Sequence, residues 1–382
     1  MSDVSDARAL LLDQPPLTAD RFAAIERRVA EVMRTDADVI VMQGEALLPL
    51  EGCIRSAARP GATALNVITG PYGQTFGGWL RDCGAAVVDI EVPYDTAVSA
   101  ERIAAALAEH PGTELVSLVH AEAATGNTNP VAEIGEVVRE HGALLMLDAV
   151  ASVAAEPLET DAWGVDLCVI GAQKGMGGPA GVSAVSVSER AWDRIRANPR
   201  APRRSYLSLL DWKERWIDTG RAVLPHAPAQ LEMLALEASI DRIEATGGLA
   251  AAITRHRAAA AATRAGTLAL ADGGTRGVDR LRPYVAEARD AAPVATTLRA
   301  PAALDARDLV AASVAADSLP LVAGGGALAK EMIRVNHYGP DASLETVVRT
   351  LSALAGALRA AGLRADGDAA VAAAEAAWSA AV

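Results

Sequence analysis

Two short segments carry side chains whose types and spacing suit covalent chemistry on a ring-bearing ligand. LLMLDAVASV (144–153) puts Asp148 at the carboxyl end of an apolar run, and VDLCVIGAQKGMGGPAG (165–181) puts Lys174 just past the end of the next run. Ligands of open parallel sheets bind at the carboxyl ends of strands, so the two side chains point into one crevice if both runs are strands. A lysine desolvated there sheds its proton near neutral pH and can form a Schiff base with a carbonyl. A carboxylate facing a pyridine nitrogen keeps that nitrogen protonated, and the ring then accepts the electron pair left by C–H cleavage. Glycines 175, 177 and 178 let backbone approach a ligand closely. They follow a lysine instead of opening a βαβ unit, which is not the pattern of a nucleotide loop. Taken alone, the same residues more often serve as a strand-end cap and a solvated turn.

The surrounding elements support a crevice. Between residues 20 and 190, helical periodicity alternates with short apolar runs. Phe22, Ile25, Val29 and Val32 recur at helical spacing, DVIVM (38–42) reads as a buried strand and EGCIRSAA after it as a helix. TALNVIT, AAVVDIEV, ELVSLVH, ALLMLD and VDLCVIG read as further strands, separated by amphipathic stretches such as SAERIAAALAEH and VAEIGEVVREHG. Strands this apolar, alternating with helices, imply an α/β fold whose parallel sheet is covered on both faces. Near residue 200, ANPRAPRRSYLSLLDWKERW reads as an irregular connection, and residues 229–270 carry one or two Ala-rich helices. From about 275 onward, short apolar runs and the helix SLETVVRTLSALAGALRAAG describe a smaller α+β unit, and the Ala-rich tail after 366 reads as helix. The expected organisation is an N-terminal helical segment (1–35), a large domain (36–245) and a small C-terminal domain (246–382).

Composition narrows the partners. The chain has 382 residues, 51% of them hydrophobic, and a mean hydropathy of +0.19, enough for a large core and more than one domain. Acidic residues outnumber basic ones, 48 to 35, for a net charge of -13, which disfavours steering onto phosphate backbones and argues against a nucleic-acid partner. Cys53, Cys83 and Cys168 have no paired spacing and the histidines are scattered, so neither a disulfide framework nor a metal site is expected. MSDVSDARALLLDQPP lacks the features of an export signal, and no window approaches the roughly 20 apolar residues of a membrane span. The expectation is a soluble, cytoplasmic protein with no membrane partner.

Longer motifs sharpen the picture. D-x-V-x-S at 148–152, D-x-x-G-V-D at 161–166 and G-x-Q-K at 171–174 occur with QGEALLPLEG (43–52), GPYGQTFGGW (70–79), DIEVPYD (89–95), SERAWDRIRANPRAP (188–202) and LLDW (209–212). With them the chain resembles the class V, fold type I aminotransferases, in particular the alanine–glyoxylate group and, within it, the branch acting on pyridoxamine and pyruvate. The resemblance runs from about residue 36 onward. It implies a large domain with a mostly parallel sheet covered by helices, a smaller C-terminal α+β domain, and an active site formed in a homodimer or homotetramer. It also implies roles. Lys174 would be the Schiff-base lysine and proton shuttle, Asp148 the partner of the pyridine nitrogen, Tyr72 the residue stacked on the ring and Val150 the one packed on its other face. Thr125, in HAEAATG (120–126), would be the hydroxyl left near the ring oxygen, and Gln173 the residue that phosphate-binding relatives place beside the lysine. Arg334, in MIRVNHYG, would grip a substrate carboxylate through its guanidinium fork.

Glu45 separates the branches. Phosphate-using relatives offer small or basic groups and helix-start N–H donors at this loop. A carboxylate about 4 Å from a phosphate charge costs on the order of 4 kcal/mol at an effective dielectric near 20, which favours an unphosphorylated vitamer. Other positions depart from the family. Gly325 in AGGGA stands where a second arginine is expected, Ala123 and Ala124 replace hydroxyl side chains, and His226 and Ala227 replace the threonine that relatives lend to the neighbouring subunit. The Gly-Pro arm that precedes the first helix in relatives is absent from this sequence. The reading that results is an aminotransferase exchanging an amino group between pyridoxamine or pyridoxal and a small 2-oxo acid, pyruvate giving L-alanine. The alternatives are an alanine/serine–glyoxylate type of enzyme with permanently bound pyridoxal 5'-phosphate, and a binding protein of the same fold with a decayed site.

Overall fold

A computed structural model describes residues 13–270, 280–315 and 317–382. Residues 1–12, part of the stretch read as lacking an export signal, lie outside them, as do the first residues of the run read from about 275. The apolar runs become one seven-stranded sheet. In chain order the strands are β1 (Asp38–Gln43), β2 (Thr63–Ile68), β3 (Ala86–Glu91), β4 (Thr113–Val119), a separate ribbon of β5 (Ala121–Glu122) and β6 (Asn127–Thr128), then β7 (Leu144–Asp148), β8 (Leu167–Gly171) and β9 (Val182–Val187). The sheet order is β1-β9-β8-β7-β4-β2-β3. β3, β2, β4, β7 and β8 pair in parallel, so their carboxyl ends share one edge. β7, β8 and β9 are buried along their whole length, as continuous apolar runs require in a sheet covered on both faces. β3 closes one side with Asp89 and Glu91 exposed, which blunts the edge against further pairing.

The sheet is mostly parallel, as expected, with one strand reversed. β9, sequence VSAVSV, runs antiparallel to both β8 and β1. Its amino end therefore lies at the edge where the other strands finish, and Gly44 N–H donates to the Gly181 carbonyl at 2.8 Å. The loop carrying Glu45 is tied to the loop leading out of the Lys174 segment by that bond.

The helix Ala19–Met33, capped by the Thr18 side chain, turns Phe22, Ile25, Val29 and Met33 into the core of the large sheet. There Phe22 meets the rings of Trp212 and Trp216 at 6.1 and 5.3 Å, which fixes the irregular 200–217 connection against the first helix. A second core forms around a four-stranded antiparallel sheet of β10 (Arg282–Pro283), β11 (Ala295–Arg299), β12 (Leu321–Ala323) and β13 (Met332–Asn336), in the order β10-β11-β13-β12. The helices Ala306–Val314, Leu344–Ala360 and Gly367–Ala381 pack into this core. The long helix Gly248–Leu270 joins the two: Ala252 belongs to the first core, and Ala259, Ala262 and Leu270 to the second. Between the sheets lies a seam of small side chains, Ala121, Ala123, Ala151 and Ala155 on one side and Ala292, Val294 and Ala295 on the other. Among the described residues no helix is long and apolar enough to cross a membrane.

Candidate active site

The parallel pairing of β7 with β8 sets Asp148 opposite Val169, and the chain then carries Lys174 past the same edge. Lys174 Nζ stands 5.5 Å from the centroid of the Tyr72 ring. Burial lowers the pKa of this amine, against the pull of Asp148, Glu122 and Glu45, and Arg334 pushes in the same sense as burial. A lysine whose ammonium is disfavoured is closer to its nucleophilic form. The Asp148 carboxyl is pushed up to about 6 by burial, offset in part by Lys174 and by the Val150 N–H, which donates to Oδ1 at 2.9 Å. Among the described residues no donor meets its other oxygen. A protonated ring nitrogen fits there, since a cation would lower the cost of keeping this buried carboxylate charged.

Tyr72 owes its place to the start of the helix Pro71–Asp82, where Pro71 presets the first turn. Gly70 precedes it for a steric reason: a Cβ there would stand 2.4 Å from Glu122 Cδ. Glu122 is fully buried beneath this helix start, and among the described residues neither of its oxygens has a well-aligned hydrogen-bond partner, although the nearby Gly73 and Tyr72 N–H groups favour its charged form. Sequence reasoning missed it, because HAEAATG was searched for hydroxyls; the carboxylate in the same motif was the available signal. Burial first, and then the Asp148 charge, push its carboxyl from 4.5 up to about 8. The folded chain thus holds a proton that the unfolded chain releases. This contribution to stability is complete below about pH 4.5 and is lost as pH rises through about 8. Glu122→Gln keeps the neutral shape and should flatten the decline of Tm between about pH 5 and 8.5. Asp148 and Glu156, also raised by burial, leave a residual slope. An identical slope in wild type and variant would remove Glu122 from the account.

Glu45 and Gln173 meet across the sheet edge. Gln173 Nε2 donates to Glu45 Oε1 at 2.9 Å, and the Leu47 N–H donates to Oε2 at 2.8 Å. The helix Leu47–Ala57 has no side-chain cap from Ala46, so the Glu45 carboxylate takes the anion position at its amino end. Arg334, on β13, reaches across the seam and donates from a terminal nitrogen to the Ala123 carbonyl at 3.2 Å. Among the described residues its buried Nε has no partner, which leaves a donor for an oxyanion. Val150 is buried beside Asp148. Thr125 is fully buried at the β5–β6 turn; its carbonyl accepts from Thr297 at 2.7 Å, and its own hydroxyl bonds to none of the residues above.

Two histidines pack against aromatic rings. His226 stacks on Tyr206 of its own chain, 4.1 Å between centroids. His120 sits 3.8 Å from Glu156 and edge-on to Trp163, and burial holds its pKa down at about 4, so it stays neutral.

The chain belongs to the class-V aminotransferase family, whose model matches residues 18–276. It is 32% identical to the pyridoxamine–pyruvate transaminase of Mesorhizobium japonicum over 355 residues, 93% of this chain and 87% of that protein. The crystal structure of pyridoxamine–pyruvate aminotransferase from Mesorhizobium loti matches with a TM-score of 0.89 at 30% identity, covering 97% of this chain and 93% of that one. The alanine–glyoxylate aminotransferase of Drosophila melanogaster is 27% identical over 307 residues, 80% of this chain and 75% of that protein.

Proposed function

We propose that the enzyme exchanges an amino group between unphosphorylated B6 vitamers and a small 2-oxo acid: pyridoxamine and pyruvate give pyridoxal and L-alanine. The observation that carries this reading is the Glu45 carboxylate, which engages both the Gln173 amide and the first helix N–H, the donors that a ring phosphate would use. The similarity to a relative named for pyridoxamine and pyruvate supports the same choice.

When bound, the pyridine ring supplies the electron sink for C–H cleavage. The chain supplies the rest. Lys174 would hold the vitamer aldehyde and would carry the proton between the substrate carbon and the ring-side carbon. Asp148 would keep the ring nitrogen protonated, Tyr72 and Val150 would confine the ring, and Arg334 would fix the substrate carboxylate. The apolar side chains of Leu47, Tyr206, Val223 and Leu231 are exposed on the Glu45 helix and on the 206–231 segment, a surface suited to a homodimer or homotetramer.

Dissociation constants for pyridoxal and pyridoxal phosphate, read from absorbance, test the reading. Glu45 is solvent-exposed, so its repulsion of a phosphate charge at 4 Å lies between about 1 and 4 kcal/mol, the values for dielectrics of 80 and 20. The wild type should favour pyridoxal by roughly five-fold or more, and Glu45→Gln, which keeps shape and deletes charge, should narrow the preference. A wild type that binds the phosphorylated form more tightly would sink the free-vitamer reading and return Gln173 to the role of phosphate partner.

A further inference from the structure

The small sheet delivers a second polar group to the crevice besides Arg334. Tyr338 follows β13, and the segment is fixed on both sides. His337 N–H donates to the Val294 carbonyl at 2.8 Å, and the fully buried His337 ring meets Thr296 Oγ1 at 2.9 Å. Next comes Gly339, with φ +51°, pressed onto Gly177, with φ +60°; a Cβ on Gly339 would stand 2.5 Å from Gly177 Cα. Gly177 N–H in turn donates to the Lys174 carbonyl at 2.8 Å. The loop bearing Tyr338 is therefore packed directly on the loop bearing Lys174. The Tyr338 ring lies against the alanine seam that includes Ala123, whose carbonyl receives Arg334.

Among the described residues the Tyr338 hydroxyl has no hydrogen-bond partner. Burial raises its pKa, and the Arg334 guanidinium, whose terminal nitrogen reaches the Ala123 carbonyl of the same seam, pulls the other way. The phenol remains a neutral donor at physiological pH. Gly325 stands where a second arginine was expected, with open space where a side chain would begin.

We propose that the Tyr338 hydroxyl, with Arg334, forms the anchor for the substrate carboxylate, one charged fork and one neutral donor. This rests on the amino-transfer reading above and adds a substrate class to it. One charged fork beside one neutral phenol suits the single carboxylate of monocarboxylic 2-oxo acids and amino acids.

Tyr338→Phe keeps the ring on the seam and removes only the O–H. A lost hydrogen bond to a charged group should raise KM for pyruvate and for L-alanine about ten-fold or more, with kcat nearly unchanged, as loss of a contact made equally in ground and transition states requires. The Kd for pyridoxal, read from absorbance at Lys174, should not move. With pyruvamide, which lacks the carboxylate, wild type and variant should have the same KM. An unchanged KM for pyruvate, an equal penalty with the amide, or a weakened Kd for pyridoxal would each overturn the anchor, the last by assigning the hydroxyl to the ring. A wild type that takes up no pyridoxal at all would overturn the functional reading itself, and the anchor with it.

Discussion

Lys174→Ala is expected to abolish covalent capture of pyridoxal and to lower amino transfer by at least about 10^2- to 10^4-fold, the range for losing a positioned proton-transfer group, while the protein stays folded. The side chain lies at a loop beyond β8, lining a crevice instead of filling the core, so its removal opens no cavity among packed apolar residues. Other lysines are poorly placed to substitute. Lys213 is paired with Asp38 at 2.7 Å and Asp218 at 3.1 Å, and hydrogen bonding to both raises its pKa against burial. Lys330 is exposed on the loop before β13, outside the crevice edge formed by the β7 and β8 ends. Borohydride reduction followed by peptide mapping identifies the attached residue. Label on Lys213 or Lys330 would show that the crevice has been assigned to the wrong amine.

Asp148→Asn should leave that capture intact and slow amino transfer by on the order of 10^2- to 10^3-fold. The estimate follows from an attraction of about 4 kcal/mol between a carboxylate and a ring cation 4 Å apart at a dielectric near 20, which a neutral amide cannot supply. Single-turnover kinetics with L-alanine separate transfer from binding. A pH profile adds a second check with a definite sign. The carboxylate is the useful form, and in the free protein it titrates at about 6, raised first by burial. kcat/KM should therefore fall as pH drops through about 6, and the asparagine variant should lose that acidic limb. Unchanged transfer, or an unchanged acidic limb, would take Asp148 out of the mechanism.

How much of this was legible in the sequence depends on whether the signal was local. Apolar runs bounded by amphipathic helices identify β1, β2, β4, β7 and β8, and the strand-end positions of Asp148 and Lys174 follow from those runs alone. β9 escaped because its alternating serines, VSAVSV, lack the continuous apolar character by which the other central strands were read, though the fold buries both of its faces. Its reversed direction is a property of pairing, and no single segment encodes it. The Glu45–Gln173 hydrogen bond joins residues 128 positions apart and exists only because β1 and β8 flank β9. Glu122 and Tyr338 were passed over for a different reason. A carboxylate between alanines and a tyrosine beside a glycine look ordinary in one dimension. They acquire meaning when the first lies under the start of the Tyr72 helix and the second against the loop of Lys174.

The alanine seam between the two sheets acts as a ruler. Lys174 is fixed to the large sheet and Arg334 to the small one, so the distance between the reacting amine and the carboxylate grip equals the thickness of whatever lies between those sheets. Methyl groups make that layer about as thin as side chains permit. Each methylene added at Ala121, Ala151, Ala155 or Ala292 must push the small sheet outward and lengthen the acid that can span the gap. In relatives of this chain, the residues to compare for chain-length preference are therefore those of the seam, none of which touches the substrate in the reading developed above.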